Sequence, residues 1–128
     1  MVVQIPFDNN EGFVRGDAFA RVFFVNRLRG LTVSEAWLTV KAATSDADGA
    51  ATFQKIITTS NVAGTGQIEN AGSTGTAKLR FDITTANSEA LTAGTVYYYD
   101  VQVKLSNNDI VTLVKGFATA EEQVTRDT

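Results

Sequence analysis

The feature that most constrains this chain is the nine-residue run from Tyr97 to Leu105, whose two faces differ in character. The odd-numbered positions hold tyrosine, valine or leucine, and the even-numbered positions hold Tyr98, an aspartate, a glutamine and a lysine. A period of two, rich in aromatic and β-branched residues, predicts a long, half-buried β-strand. Turn-forming residues at 106–109 and a second apolar run at 110–114 follow, so the pattern predicts a hairpin at the centre of a β-sandwich.

Further strand-forming segments, separated by turns, precede this hairpin. They are predicted at 18–25, 31–41, 53–59, 67–69 and 76–83. The residues predicted to face inward are Ala36, Leu38, Val40, Ala77, Leu79, Phe81, Ile83, Tyr99 and Val101. The fold class that follows from these strands is all-β: an antiparallel β-sandwich of about seven to nine strands, with one short helical turn near 85–91, which the corner pattern described below makes immunoglobulin-like.

Three segments depart from simple alternation. The run from Phe19 to Val25 is apolar at both parities, which predicts a strand covered on both sides. Segment 53–59 places Ile56 next to Ile57, which predicts a bulge. Gly116 interrupts the last strand, which predicts a bulge or bend at that position.

The tight turn that contains Gly94 leads directly into the central strand. In an immunoglobulin-type strand at this place, a tyrosine two residues before an inward core position bonds through its hydroxyl to the preceding corner. Tyr97 and Tyr99 have that spacing. An ordinary half-buried strand tyrosine would satisfy the same pattern, so both interpretations stay open. Gly94 and Tyr97 are the candidate structural corner.

Composition places the chain among single-domain globular proteins and excludes several classes of partner. Its 128 residues fit one domain, and a hydrophobic content of 44% argues against wholesale disorder. The 11 basic and 14 acidic residues give a net charge of −3, without the basic excess typical of a nucleic-acid-binding protein. No apolar run approaches the roughly 20 residues needed to span a bilayer. We therefore expect neither a nucleic acid nor a membrane as a partner.

Side chains suited to catalysis or metal binding are scarce. There is no histidine and no cysteine, which removes the common nucleophile–base pairs and the usual zinc sites. Asp82 and Asp100 are predicted on outward faces beside lysine and arginine, so charge pairing accounts for them better than a glycosidase acid–base pair. Segment 46–49 lacks the full ligand set of a calcium loop, and segment 64–66 lacks the lysine of a phosphate loop. We expect no enzyme activity, no cofactor and no metal site.

An ordered set of short segments resembles a known family. The segments are Gly16-Asp17-x-Phe19, Leu31-Thr32, Ala36-x-Leu38-x-Val40-Lys41, Leu79-x-Phe81-x-Ile83-Thr84, Leu91-x-x-Gly94-x-x-Tyr97-Tyr98-Tyr99-Asp100-Val101-Gln102-Val103, Val111-Thr112-Leu113-x-x-Gly116 and Val124-Thr125-Arg126. Together they resemble the small immunoglobulin-like domains of tailed-bacteriophage structural proteins, and they are similar to the N-terminal module of phage baseplate upper proteins. The resemblance spans residues 16–126.

The resemblance implies a non-catalytic virion structural protein, a tail, baseplate or fibre-attachment component that acts through protein–protein contacts. Other virion proteins and copies of the chain itself are then the expected partners, and the virion, assembled in the host cytoplasm, is the expected location. Two alternatives stay open: a capsid decoration (cement) protein, and a module that binds a host-surface polymer, namely a glycan. The sandwich is expected at 16–120, between an N-terminal arm or edge strand at 1–15 and a C-terminal tail at 121–128.

Candidate interface residues come from both ends of the chain and from outward strand faces. Segment 1–5 is apolar and predicts either an ordinary first strand or an arm that adds to the sheet edge of a neighbour. Trp37 and Tyr98 are the candidate exposed aromatic residues, and nothing in the sequence places them side by side. Arg126 could bind a carboxylate of a neighbour. The complete candidate set is Val2, Val3, Ile5, Trp37, Tyr98, Val124 and Arg126.

Overall fold

A computed structural model describes residues 2–3, 13–14, 18–26, 28, 30–43, 51–92 and 94–121. These residues form nine strands and one helix: β1 (Val2–Val3), β2 (Phe13–Val14), β3 (Phe19–Asn26), β4 (Val33–Lys41), β5 (Phe53–Ile57), β6 (Gly66–Asn70), β7 (Ala77–Ile83), α1 (Thr85–Glu89), β8 (Val96–Leu105) and β9 (Ile110–Glu121). The predicted all-β class is confirmed, and α1 lies within the predicted helical turn.

The strands form a four-stranded sheet in the order β1-β3-β7-β6 and a five-stranded sheet in the order β2-β9-β8-β4-β5. Neighbouring strands described in the structure are antiparallel, except that β2 runs parallel to the end of β9. The two sheets enclose one hydrophobic core. The order β1-β3-β7-β6 in one sheet and β9-β8-β4 in the other matches the A-B-E-D and G-F-C sheets of an immunoglobulin-like sandwich.

The core is built from the inward faces predicted for the longest strands. Burial alternates strictly along β7, and it alternates in the same way along β8. Phe23 and Phe81 meet edge to face with their ring centroids 6.0 Å apart, an arrangement that the aromatic quadrupole favours. The inward positions predicted from alternation are confirmed; they are Ala36, Leu38, Val40, Ala77, Leu79, Phe81, Ile83, Tyr99 and Val101.

Strand β3 is well covered on one face only. Phe23 and Val25 are buried, whereas Val22 and Phe24 on the opposite face are half-buried. The prediction of a strand covered on both sides is therefore wrong. On that outer face β3 lies beside the charged residues of β7, with Phe24 in register with Lys78.

Strand β5 is regular, so the bulge predicted in segment 53–59 is wrong. Its register with β4 runs without a shift over all five residues. Regular alternation turns Lys55 inward, where it is 8% exposed, and leaves Ile56 47% exposed on the outer face. The usual preference is the opposite, with an apolar residue such as Ile56 facing inward and a lysine facing outward.

The buried Lys55 side chain ends at a backbone acceptor. Its Nζ donates a 2.7 Å hydrogen bond to the carbonyl oxygen of Gly64, in the loop that precedes β6. Removal from water disfavours the charged form and lowers the pKa of Lys55, and the negative charge of Asp82 acts in the opposite direction. Lys55 thus connects β5, the edge strand of one sheet, to the loop that leads into the other sheet.

Strand β9 contains a register shift, but not where the sequence predicted it. The pairing of β8 with β9 shifts after Val101, which leaves Leu113 outside the regular register. Gly116 is in register with Tyr99, and a Cβ at Gly116 would lie 2.6 Å from the Tyr99 hydroxyl oxygen. The prediction of a bulge or bend at Gly116 is wrong: a glycine is needed there because the tyrosine side chain occupies the space of a Cβ.

Candidate interaction surface

The outer face of the four-stranded sheet carries a network of charged side chains. Glu69 binds Lys78 at 3.2 Å and Arg80 at 2.6 Å, and Arg80 also binds Asp82 at 3.1 Å. The hydrogen bond from Lys78 is the main reason that the pKa of Glu69 lies below its ordinary value, and the bond from Arg80 adds to the effect. Partly exposed ion pairs contribute little to stability, but they keep this face solvated.

The outer face of the five-stranded sheet is different, because it collects exposed apolar side chains. Six large hydrophobic residues are exposed among those the structure describes, and five of them lie on this face by the strand register. The five are Ile56, Val96, Tyr98, Ile110 and Phe117, and we call this surface the apolar face. The sixth, Val62, lies outside the named strands. By the register, Val96, Tyr98 and Phe117 lie close together at one end of this face, and an exposed apolar cluster of this kind is typical of an interaction site.

A groove of about 330 Å³ lies on the apolar face. Tyr98 and Phe117 are direct cross-strand partners on β8 and β9, and they are 38% and 54% exposed. Thr39 lies at the groove on β4 and is only 5% exposed; its hydroxyl accepts a 2.9 Å hydrogen bond from the Gln54 side-chain amide. The register of three adjacent strands, β4, β8 and β9, therefore builds the groove.

Charged side chains border this aromatic pair. Lys41 is in register with Tyr98 on one side, and Phe117 is in register with Tyr98 on the other. In the adjacent row, Asp100 is in register with Lys115. Two ammonium groups and one carboxylate thus line the groove together with the two aromatic rings. The arrangement offers an apolar centre with charges of both signs beside it.

Of the two predicted interface residues whose side chains the structure describes, Trp37 and Tyr98, Tyr98 lines this groove. Trp37 is half-buried on the same face, in register with Ile56 and Gln102, so it lies farther along the strands and not beside Tyr98. The sequence analysis missed Phe117, which is the aromatic neighbour of Tyr98.

The shift at Leu113 explains why Phe117 was missed. Ile110 is in register with Lys104 and faces outward. Simple alternation from Ile110 would turn Phe117 inward, but the extra residue in β9 reverses the parity beyond Leu113 and turns it outward. Once β9 is placed against β8, Gly116 lies opposite the inward Tyr99 and Phe117 faces outward; the sequence alone carries no signal of this register.

The N-terminal candidates are only partly described. The backbone of Val2 and Val3 forms β1, which pairs with β3 of the same chain at the edge of the four-stranded sheet. Of the two interpretations of this segment, the first strand is the one found for these two residues. Ile5, Val124 and Arg126 lie outside the described residues.

The candidate corner residues lie at the start of β8. The Tyr97 hydroxyl accepts a 2.7 Å hydrogen bond from the backbone N–H of Thr92, and Tyr97 is 4% exposed. Gly94 has a φ of 82°, a left-handed conformation that glycine adopts without strain. Two interpretations of Tyr97 were open, a structural corner and an ordinary strand tyrosine. The hydroxyl contact with Thr92 is the contact expected of an immunoglobulin-type corner.

The described residues contain no group of three or more histidine, cysteine, aspartate or glutamate side chains placed to hold a metal ion. In the same part of the chain, no helix has both the length and the hydropathy required to cross a membrane.

Comparisons with known proteins add little beyond the fold. No protein-family model matches the chain, and no curated protein sequence matches it. Among solved structures, that of murine CRIg is similar at 12% sequence identity, with a TM-score of 0.38, over 86% of this chain and 88% of that chain. A likeness of this degree carries no argument about either fold or function. The strand order and the core define the chain as an immunoglobulin-like β-sandwich with one apolar outer face.

Proposed function

We propose that this chain is a non-catalytic structural protein of a tailed-phage virion, a tail, baseplate or fibre-attachment component that acts through protein–protein contacts. One observation carries the proposal: the apolar face holds five of the six exposed large hydrophobic side chains among the described residues. The resemblance of the strand segments to phage structural domains supports the virion as the place where this surface makes its contacts. The chain has no histidine and no cysteine, so it offers a surface rather than the usual reactive groups.

The composition of the apolar face matches that of a protein interface. Interface centres are enriched in aromatic residues, and their rims are polar and charged. Tyr98 and Phe117 supply the aromatic centre, and Lys41, Asp100 and Lys115 supply nearby charges. The opposite outer face carries a network of ion pairs, whose removal from water would be costly.

A host-surface glycan is the second candidate, and the groove itself favours it. Two exposed aromatic rings can stack on the C–H faces of a sugar, and Asp100 can accept hydrogen bonds from its hydroxyl groups. The aliphatic side chains of Ile56, Val96 and Ile110 on the same face favour a protein partner instead, because sugar rings gain little from them. The protein partner is therefore the main proposal.

Particle incorporation tests the main proposal. Particles assembled with the double variant Tyr98→Ser/Phe117→Ser should contain much less of the chain than particles assembled with the unmodified chain, as measured by quantitative mass spectrometry of purified virions. Val62→Ser is the matched control, because it removes an exposed apolar side chain that lies away from the apolar face. This control variant should be incorporated normally.

The location of the chain within the particle separates the structural alternatives. Labelling of intact virions, followed by electron microscopy, should place the chain on the tail, the baseplate or a fibre attachment. Labelling over the whole capsid surface would instead support a decoration protein. Absence of the unmodified chain from purified virions would refute the structural proposal in both forms.

A further inference from the structure

We infer that the apolar face binds a second copy of the same chain, so that two sandwiches pack face to face about a two-fold axis. The inference rests on the proposed function, since it names the partner of the surface that the proposal uses. The Tyr98–Phe117 groove lies at the centre of the contact, and each copy presents its aromatic pair to the groove of the other. Three features lead to this partner: the area of the face, its mixed charges and the protected β5 edge.

The area of the apolar face is sufficient for a dimer. Strands β9, β8, β4 and β5 are spaced by about 4.8 Å and rise about 3.3 Å per residue. With the 10 residues of β8 as the length, the face covers roughly 600 Å² on each copy. Two such faces, if covered in full, would bury at most about 1,200 Å² in total, at the lower limit for stable, specific protein–protein contacts. The expected dimer is therefore reversible.

The charges on the apolar face suit a self-complementary contact. A two-fold contact brings the same patch of both copies together, so a patch of one sign would repel itself. The outward charges here are of both signs: Lys41, Lys104 and Lys115 against Glu35 and Asp100. In an antiparallel arrangement of two faces, Asp100 of one copy can meet a lysine of the other. A surface this close to neutral is less suited to a highly charged polymer.

The β5 edge of the five-stranded sheet is protected against pairing, which favours the face over this edge as the contact surface. An inward-pointing charged residue on an edge strand opposes the addition of another strand, and Lys55 occupies that place on edge strand β5. At the other edge, the described residues of β2 pair only with Ala120 and Glu121 at the end of β9. Two copies that met by strand addition at β5 would have to place a strand beside Lys55, whereas packing through the face leaves it intact.

Sedimentation of the full chain over a range of concentrations tests the inference directly. We expect a reversible monomer–dimer equilibrium. Phe117→Ser and Tyr98→Ser should each raise the dissociation constant about tenfold or more, the loss typical of a central aromatic contact. Val62→Ser should leave the constant unchanged. Because these three side chains are exposed, circular dichroism and thermal unfolding should show that the variants keep the fold.

Cross-linking gives a second readout that does not depend on affinity. The chain contains no cysteine, so one introduced thiol reports on its own surroundings. Phe117→Cys should give a covalent dimer with a short bismaleimide cross-linker at dilute protein concentration. Val62→Cys, treated in the same way, should remain monomeric. An equal yield of covalent dimer from both variants would contradict a contact centred on Phe117.

The outcomes separate this inference from the proposed function. A chain that stays monomeric at every concentration overturns the pairing, and so does a dimer that Phe117→Ser does not weaken. If such a monomer still needs Tyr98 and Phe117 to enter particles, the virion proposal stands and the partner is another protein. If the chain forms the dimer but is absent from purified virions, the pairing stands and the virion proposal fails. Monomers whose binding to a glycan array is lost on Phe117→Ser would replace the pairing with a saccharide groove.

Discussion

The hydroxyl of Tyr97 accepts a 2.7 Å hydrogen bond from the backbone N–H of Thr92, five residues earlier in the chain. The bond joins the start of the central strand, β8, to the segment that follows α1. Tyr97 is buried. The positive φ of Gly94 allows the chain to reverse direction between Thr92 and Tyr97. The corner thereby fixes how β8 enters the five-stranded sheet, and β8 carries both core residues and the aromatic residue of the apolar face.

The first prediction concerns this corner. Tyr97→Phe keeps the ring but removes the acceptor of the Thr92 N–H. We expect the free energy of unfolding to fall by about 1–2 kcal/mol, because a polar group would lose its hydrogen bond at a half-buried site. Urea titration of the purified variant measures the change. Tyr98→Phe is the matched control and should alter the value by about 0.5 kcal/mol or less. If Tyr97→Phe and Tyr98→Phe lowered the free energy of unfolding equally, the Tyr97–Thr92 hydrogen bond would have no specific structural role.

The second prediction concerns the core. Phe81 is fully buried and meets Phe23 edge to face, so Phe81→Ala removes both burial and a ring contact. The expected loss is about 3–5 kcal/mol, because the cavity adds to the lost transfer free energy. Denaturant unfolding followed by tryptophan fluorescence measures it. Phe117→Ala, at an exposed position, should cost about 0.5 kcal/mol or less. A loss below about 1 kcal/mol for Phe81→Ala would show that the core is not packed as described.

The third prediction concerns the glycine beneath Tyr99. Gly116→Ala introduces a methyl group 2.6 Å from the Tyr99 hydroxyl oxygen and 2.8 Å from the ring carbon that bears it. We expect a loss of about 1–3 kcal/mol from this overpacking, detected as a lower thermal midpoint. In the double variant Gly116→Ala/Tyr99→Leu, the loss should be smaller than the sum of the two single losses, because the clash is gone. Strict additivity would mean that the two side chains do not compete for space.

The fourth prediction concerns pH and the buried lysine. Burial lowers the pKa of Lys55 in the folded chain below its ordinary value of 10.5, so the unfolded chain binds more protons between the two values. The stability contribution of Lys55 should therefore rise as the pH increases from the lowered pKa towards 10.5.

Lys55→Met tests the same group. This variant keeps the length of the apolar stem but has no proton to lose, so its stability should rise less over that pH range than that of the unmodified chain. At neutral pH the substitution should be neutral or mildly stabilising, by about 1 kcal/mol or less, because desolvation and the lost Gly64 hydrogen bond offset each other. Urea titrations of both chains at matched pH values provide the comparison. Parallel pH profiles would contradict a lowered pKa.

Of the two aromatic residues at the candidate site, only Tyr98 could be predicted from the sequence. Tyr98 could be assigned to the outer face because it lies inside a strictly alternating run. Phe117 could not, because its direction depends on the extra residue at Leu113, and that residue is recognised only when β9 is placed against β8. The same limit applies to Ile56, whose outward direction follows from the register of β5 with β4.

The sequence by itself determined the inward faces of β4, β7 and β8, the helical turn after β7 and the sandwich class, because each of these depends on residues that are close in the chain. The tertiary structure decided which strands are neighbours, that Lys55 points into the core, and that Tyr98 meets Phe117. These features depend on the register between segments far apart in sequence, where a shift of one residue turns every following side chain to the opposite face. The apolar face, and with it the proposed partner, belongs to this second group.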